Sequence, residues 1–129
     1  VYGIELLKDN IEECKMNLAN SFAEFLKINK SDDIFKAAIR VLSLNLIQGN
    51  ALTMKKKDGT SIFFSEWGYL GKGKFQRRDF LLETLSLSAE FKKEDSLFST
   101  LNNEDIFRPI RSFKPMSIEE ISENQIHQI

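Results

Sequence analysis

One cysteine, one histidine and two prolines are all that 129 residues hold of these types. A lone Cys14 cannot form an internal disulfide. That argues against a disulfide-stapled secreted scaffold and leads us to expect a reducing, cytoplasmic setting. A lone His127, close to the last residue, leaves no material for a histidine-built metal site or for a nucleophile with a histidine base. No apolar run approaches the ~18 residues that a spanning helix needs, so no membrane partner is expected. No signal-peptide pattern opens the chain, which starts at Val1. A net charge of −1 removes any global field that would select a polyanion.

What is present is apolar. Hydrophobic residues make up 42% of the chain, enough for one domain with its own core. The stretch from Ser31 to Phe64 organises the rest. Ser31, Asp32 and Asp33 supply a helix start, with short polar caps and carboxylates at the positive end of the helix dipole. Ile34, Phe35, Ala37, Ala38, Ile39, Val41, Leu42, Leu44, Leu46 and Ile47 then cover most of a helix surface. Lys36, Arg40 and Ser43 form its one polar strip. Such a helix must be covered on more than one side, within a monomer or across a dimer. Gly49-Asn50 is expected to close it.

Beyond it, Asp58-Gly59 between Leu52–Lys57 and Thr60–Ser65 predicts a two-residue β-hairpin turn that pairs Lys57 with Thr60. Upstream, Ile4, Leu7, Ile11, Cys14, Leu18, Ser21, Phe25 and Ile28 recur at three-four spacing, which predicts a long helix over residues 4–28. It packs on the second helix as an antiparallel helical hairpin, with Cys14 as a small buried hydrophobe.

Half of the six glycines fall in Glu66–Arg78, which reads as a loop. Asp79–Lys93 fits a strand or a helix, with the strand preferred because it would give the hairpin a third partner. Glu94–Leu101 has helical spacing. Asn102–Met116 reads as an extended linker anchored by Ile106, Phe107, Ile110 and Phe113. Ser117 with Glu120 forms a capping box that starts a last helix through Ile118, Ile121 and Ile126. The expected fold is a single α+β domain over residues 1–129. A helical hairpin (4–48) packs on a small antiparallel sheet (51–65), followed by a loop (66–78), the ambiguous segment (79–93) and short C-terminal helices (94–129).

Charge is unevenly spread: net −1 over residues 1–50, +5 over 51–78 and −5 over 79–129. The basic segment interleaves Lys55, Lys56, Lys57, Lys72, Lys74, Arg77 and Arg78 with Trp67, Tyr69 and Phe75. Cations neutralise phosphates and aromatics stack on unpaired bases, so this segment is the candidate nucleic-acid surface. The acidic C-terminal region is the alternative partner for the same cations within the molecule. Gly71-Lys72-Gly73-Lys74 has the glycines of a phosphate loop but lacks its spacing, and Phe75 stands where Ser or Thr is needed. No nucleophile–base pair, cofactor motif or metal set is visible, so no catalytic residue, cofactor or metal is expected.

Lys30-Ser31-Asp32-Asp33-Ile34, followed by Lys36-Ala37-Ala38-Ile39, resembles the second helix of ribbon-helix-helix regulators. Gly49-Asn50-Ala51-Leu52 and the Asp58-Gly59 hairpin are similar to what trails that helix. The resemblance implies an intertwined DNA-binding dimer, with Lys30 and Ser31 facing phosphate and a strand near Glu13–Leu18, where the residue spacing predicts helix instead. Three functions are therefore expected in order: a non-catalytic interaction module binding nucleic acid through 55–78; a protein-binding adaptor, chaperone or inhibitor using the apolar stripe or sheet face, alone or as a homodimer; and a dimeric DNA-binding regulator.

Overall fold

A computed structural model describes residues 1–86 and 108–124. The chain is α+β, with an N-terminal helical pair, antiparallel sheet and a short C-terminal helix. Strand β1 (Gly3–Glu5) leads into helix α1 (Lys8–Leu26) and helix α2 (Asp33–Asn45). Then come strands β2 (Leu46–Asn50), β3 (Lys55–Lys56), β4 (Phe63–Gly71) and β5 (Lys74–Leu81). Residues 82–86 are helical. Strands β6 (Arg111–Ser112) and β7 (Met116–Ser117) precede helix α3 (Ile118–Ser122).

The helical pair is shorter than its apolar pattern at both ends. Residues 3–5 are strand, because β1 pairs in parallel with β2, Ile4 opposite Ile47. The Glu5 carboxylate accepts the Leu7 N–H at 3.2 Å, where α1 takes over. At the other end α1 closes on Lys27 in the left-handed conformation, φ 54°. The Ile28 N–H reaches the Ala23 carbonyl and the Lys27 N–H that of Glu24, a Schellman closure made without glycine. Helix α2 stops at Asn45, not at residue 48, and Leu46 and Ile47 are buried in β2 instead. Gly49 is therefore not a helix cap. It lies inside β2, where a Cβ would come within 2.8 Å of Ile62 and 3.0 Å of the Lys55 carbonyl.

The apolar stripe of α1 also departs from the heptad reading. Ile11 and Ala19 are buried, with Lys15, Leu18, Phe22 and Ala23 half-buried, while Cys14, Ser21 and Phe25 face solvent. The buried positions keep the 3.6-residue period of a straight helix, whereas a strict heptad drifts off it. Residues 13–18 are helix throughout, so the strand of a ribbon-helix-helix dimer is absent from that position.

Two hairpins follow. In the first, β2 pairs antiparallel with β3 through an Asx turn: the Asn50 Oδ1 accepts the N–H groups of Leu52 and Thr53 at 2.8 and 3.3 Å. Leu52, expected in a strand, sits in this turn and is 92% exposed. The Asp58-Gly59 turn exists but has three residues, not two. Lys56 N–H bonds Thr60 O, Lys55 bridges Ser61, and only Gly59 has positive φ, 86°. The one-residue shift reverses the faces and leaves Ile62 fully buried.

The second hairpin replaces the expected loop over 66–78. Strands β4 and β5 pair in register from Phe63–Leu81 to Tyr69–Phe75, with a bulge before Gly71. The turn is Lys72-Gly73, φ 52° and 71°, the double positive φ of a tight hairpin. The expected strand over 79–93 is β5 only as far as Leu81; the helical turn 82–86 follows, and residues 87–93 lie outside the described residues. So do the predicted helix at 94–101, Ile106, Phe107, Ile126 and His127. The linker carries β6 and β7, which both pair with β5. Phe113 is buried as expected, whereas Ile110 is exposed.

Ala37, Phe113, Met116 and Ile121 form the core, with Trp67, Phe75 and Ile118 packed against them. Helices α2 and α3 thus meet the face of the β4–β5 hairpin that carries its odd-numbered residues. Ser117 and Glu120 make the predicted capping box, Glu120 N–H to Ser117 Oγ at 3.2 Å and Ser117 N–H to Glu120 Oε1 at 3.3 Å. Helix α2 is not sealed on all sides: Ile34 and Ile39 remain 36% and 37% exposed. No helix among the described residues is long and apolar enough to cross a membrane.

Candidate interaction site

The basic segment does not form one patch. Lys55 Nζ lies 2.8 Å from Glu83 Oε1 and 2.9 Å from Ser61 Oγ. Lys56 sits over the Phe63 ring. Lys74 pairs with Glu120 at 3.4 Å, and Arg78 pairs with Glu66 directly opposite it in the sheet. Arg77 is buried, bidentate on Asp79 and stacked 4.3 Å from Phe113. Trp67 is half-buried against the core, and Phe75 with it. Tyr69 is exposed, its hydroxyl accepting the Gly73 N–H at 3.1 Å. Lys57 and Lys72 make no ion pair among the described residues, but they occupy the two hairpin tips. The nine residues of β4 separate those tips by roughly 30 Å. Three of the pairs, to Asp79, Glu83 and Glu120, join the basic segment to the acidic region after it.

These pairs hold their acids in the charged form. The Glu120 carboxyl lies below its ordinary 4.5, chiefly through the Ser117 backbone N–H, then the Ser117 hydroxyl and Lys74. Glu83 is lowered first by the hydrogen bond from Lys55, and Asp58 first by the Thr60 hydroxyl. Each folded-state value is depressed, so the unfolded chain takes up these protons first. Stability is complete above the ordinary values and falls as pH drops through the lowered ones. A thermal melt series from about pH 6 to pH 3 should show a falling midpoint. Glu120→Gln should be less stable at pH 6 and flatten the fall.

A buried polar network lies beneath the sheet, built from residues that are not adjacent in any local sequence motif expected above. Asp79, with 0% exposure, accepts from Ser65 Oγ at 2.7 Å, from Arg77 Nε and Nη2 at 2.9 and 3.0 Å, and from Arg111 Nε at 3.0 Å. Asn45 binds the backbone of Ser65, Nδ2 to the carbonyl at 3.0 Å and Oδ1 from the N–H at 2.8 Å. The available signal was Arg77-x-Asp79, two opposite charges at the spacing that puts them on one face of a strand. Among the described residues two guanidiniums share one carboxylate, which leaves this network with one more cation than anion.

Beside the network the surface opens into two adjoining depressions. The larger, about 570 Å³, is an apolar groove between α1, α2, the β4–β5 hairpin and α3. Leu18 and Phe22 line it from α1, Ile34, Ala38 and Val41 from α2, and Trp67 from β4. The smaller, about 240 Å³, is mixed: Arg40 and Ser43 from α2, Arg77 from β5 and Asn124 after α3 share its lining with the apolar Leu44, Trp67 and Ile121. Trp67 and Ile121 belong to both walls. Among the described residues no group of three or more His, Cys, Asp or Glu is placed to hold a metal ion. Comparison with protein-family models, curated proteins and solved structures finds no match for this chain.

Proposed function

We propose that this chain is a non-catalytic interaction module that seats an amphipathic segment of a partner protein in the apolar groove between α1 and α2. The observation that carries this reading is the groove itself: about 570 Å³ lined almost wholly by apolar side chains, with Ile34 still open to solvent at its rim. Apolar surface left in a concave trough gains free energy when a partner covers it. A helical segment with apolar residues at three-four spacing is the matching ligand form.

Trp67, the single tryptophan, reports occupancy of the groove. The probe is a neutral amphipathic Leu/Ala peptide with one Gln on its polar face, titrated while Trp67 fluorescence is followed. Ile34→Glu places a charge in the seat and is expected to weaken binding by at least roughly tenfold. Phe25→Glu, exposed on α1 outside the groove, is expected to leave binding unchanged. No saturable change, or equal effects of both substitutions, sinks the reading.

A second reading keeps nucleic acid as the partner, now at the β4–β5 tip, where exposed Tyr69 stands beside Lys72. Salt-sensitive oligonucleotide binding that Lys72→Glu abolishes would favour it over the groove.

A further inference from the structure

We propose that the smaller cleft is an anion site that takes a carboxylate side chain of the segment seated in the groove. This rests on the groove reading and names the chemistry of its partner. Four observations converge. Beside Leu44, Trp67 and Ile121 the cleft is lined by the hydrogen-bond donors Arg40, Ser43, Arg77 and Asn124, and among the described residues by no Asp or Glu. Arg77, with 7% side-chain exposure, lines the cleft and divides the carboxylate of Asp79 with Arg111, so its charge is only partly answered.

Arg40 makes no ion pair among the described residues, and Ser43 stands one helical turn from it on the same strip of α2. The Trp67 indole Nε1–H is buried without an acceptor, a condition native structures rarely tolerate.

Position decides which anion. Trp67 and Ile121 form part of both walls, so the charge sits one side chain away from the apolar seat. A partner segment with apolar anchors can therefore place an Asp or Glu from its polar edge between Arg40 and Arg77. A planar carboxylate matches the two-pronged geometry of guanidinium. A nucleotide phosphate would have to lay its sugar and base against the apolar groove.

The test pairs the neutral Gln peptide with one that differs only by Glu at that position, again followed through Trp67. The Glu peptide is expected to bind roughly tenfold tighter at low salt, because a charge-assisted pair replaces a neutral one. Raising salt should shrink the difference. Arg40→Gln and Arg40→Glu, changes at an exposed residue, should abolish it, with the loss falling mainly on the Glu peptide. Circular dichroism confirms that both variants fold. Equal binding of the two peptides overturns the anion site and leaves the groove reading standing. Absence of binding by either peptide overturns both. Inorganic phosphate that changes Trp67 fluorescence while the Glu peptide shows no preference overturns the carboxylate assignment in favour of a phosphate ligand.

Discussion

Asp79→Ala should cost about 3–5 kcal/mol of folding stability, because it strands buried guanidiniums with no counter-charge. Domains of this kind are stabilised by about 5–15 kcal/mol in total, so the variant should sit at the edge of unfolding. Arg77 is the more deeply trapped of the two cations, with 7% side-chain exposure against 34% for Arg111. Stacking on Phe113 and Phe63 offsets some of their desolvation but supplies no acceptor. Urea denaturation followed by Trp67 fluorescence measures the loss. Adding Arg77→Met and Arg111→Met to Asp79→Ala should recover much of it, since replacing a whole buried ion network by apolar side chains is often near neutral. A single Asp79→Ala variant as stable as wild type would show that the network carries no structural weight.

The same residues explain what could be read in advance. The capping box of Ser117 and Glu120 was legible because both partners lie within one helical turn. The helical pair was legible because its spacing is local. Leu46–Asn50 was not: Leu44, Leu46 and Ile47 continue the apolar run of α2. Nothing nearby shows that residues 3–5, some 40 positions away, will pair with them. Glycine count misled at 66–78, where Gly71 and Gly73 serve only a bulge and a turn, while Trp67-x-Tyr69 and Phe75-x-Arg77-x-Asp79 alternate with the period of a strand. Charge counting grouped Lys55, Lys74, Arg77 and Arg78 as one candidate surface and named the acidic region after them only as an alternative partner. Each is answered by a carboxylate that folding brings beside it. The polar strip of Lys36, Arg40 and Ser43 was visible, but its meeting with Arg77 and Trp67 depends on how α2 lies against the sheet.

Asn45→Ala should cost about 2–4 kcal/mol, more than a helix-end position would suggest, because it leaves two buried backbone groups without partners. Strand β4 is an edge strand of its sheet among the described residues. Ile62 and its even-numbered successors face β5, as the 3.0 Å bond from Leu82 N–H to Ile62 O shows, so Ser65 turns its N–H and C=O away from β5. The Asn45 amide fills that gap like the next strand, one donor and one acceptor at 3.0 and 2.8 Å. It caps α2 onto the sheet and closes an edge that would otherwise invite pairing with another chain. Asn45→Asp separates the two roles. Its carboxylate can accept the Ser65 N–H but has no hydrogen for the Ser65 carbonyl, and burial opposes its charge. That raises its folded-state pKa, so the penalty should be largest near neutral pH. It should shrink as pH falls through the raised value, where the protonated group donates again. Stability profiles of the two variants should therefore converge with wild type differently: Asn45→Asp recovers in acid, whereas Asn45→Ala keeps a constant deficit. Identical pH dependence of the two would mean that the amide's donor is not what holds α2 to β4.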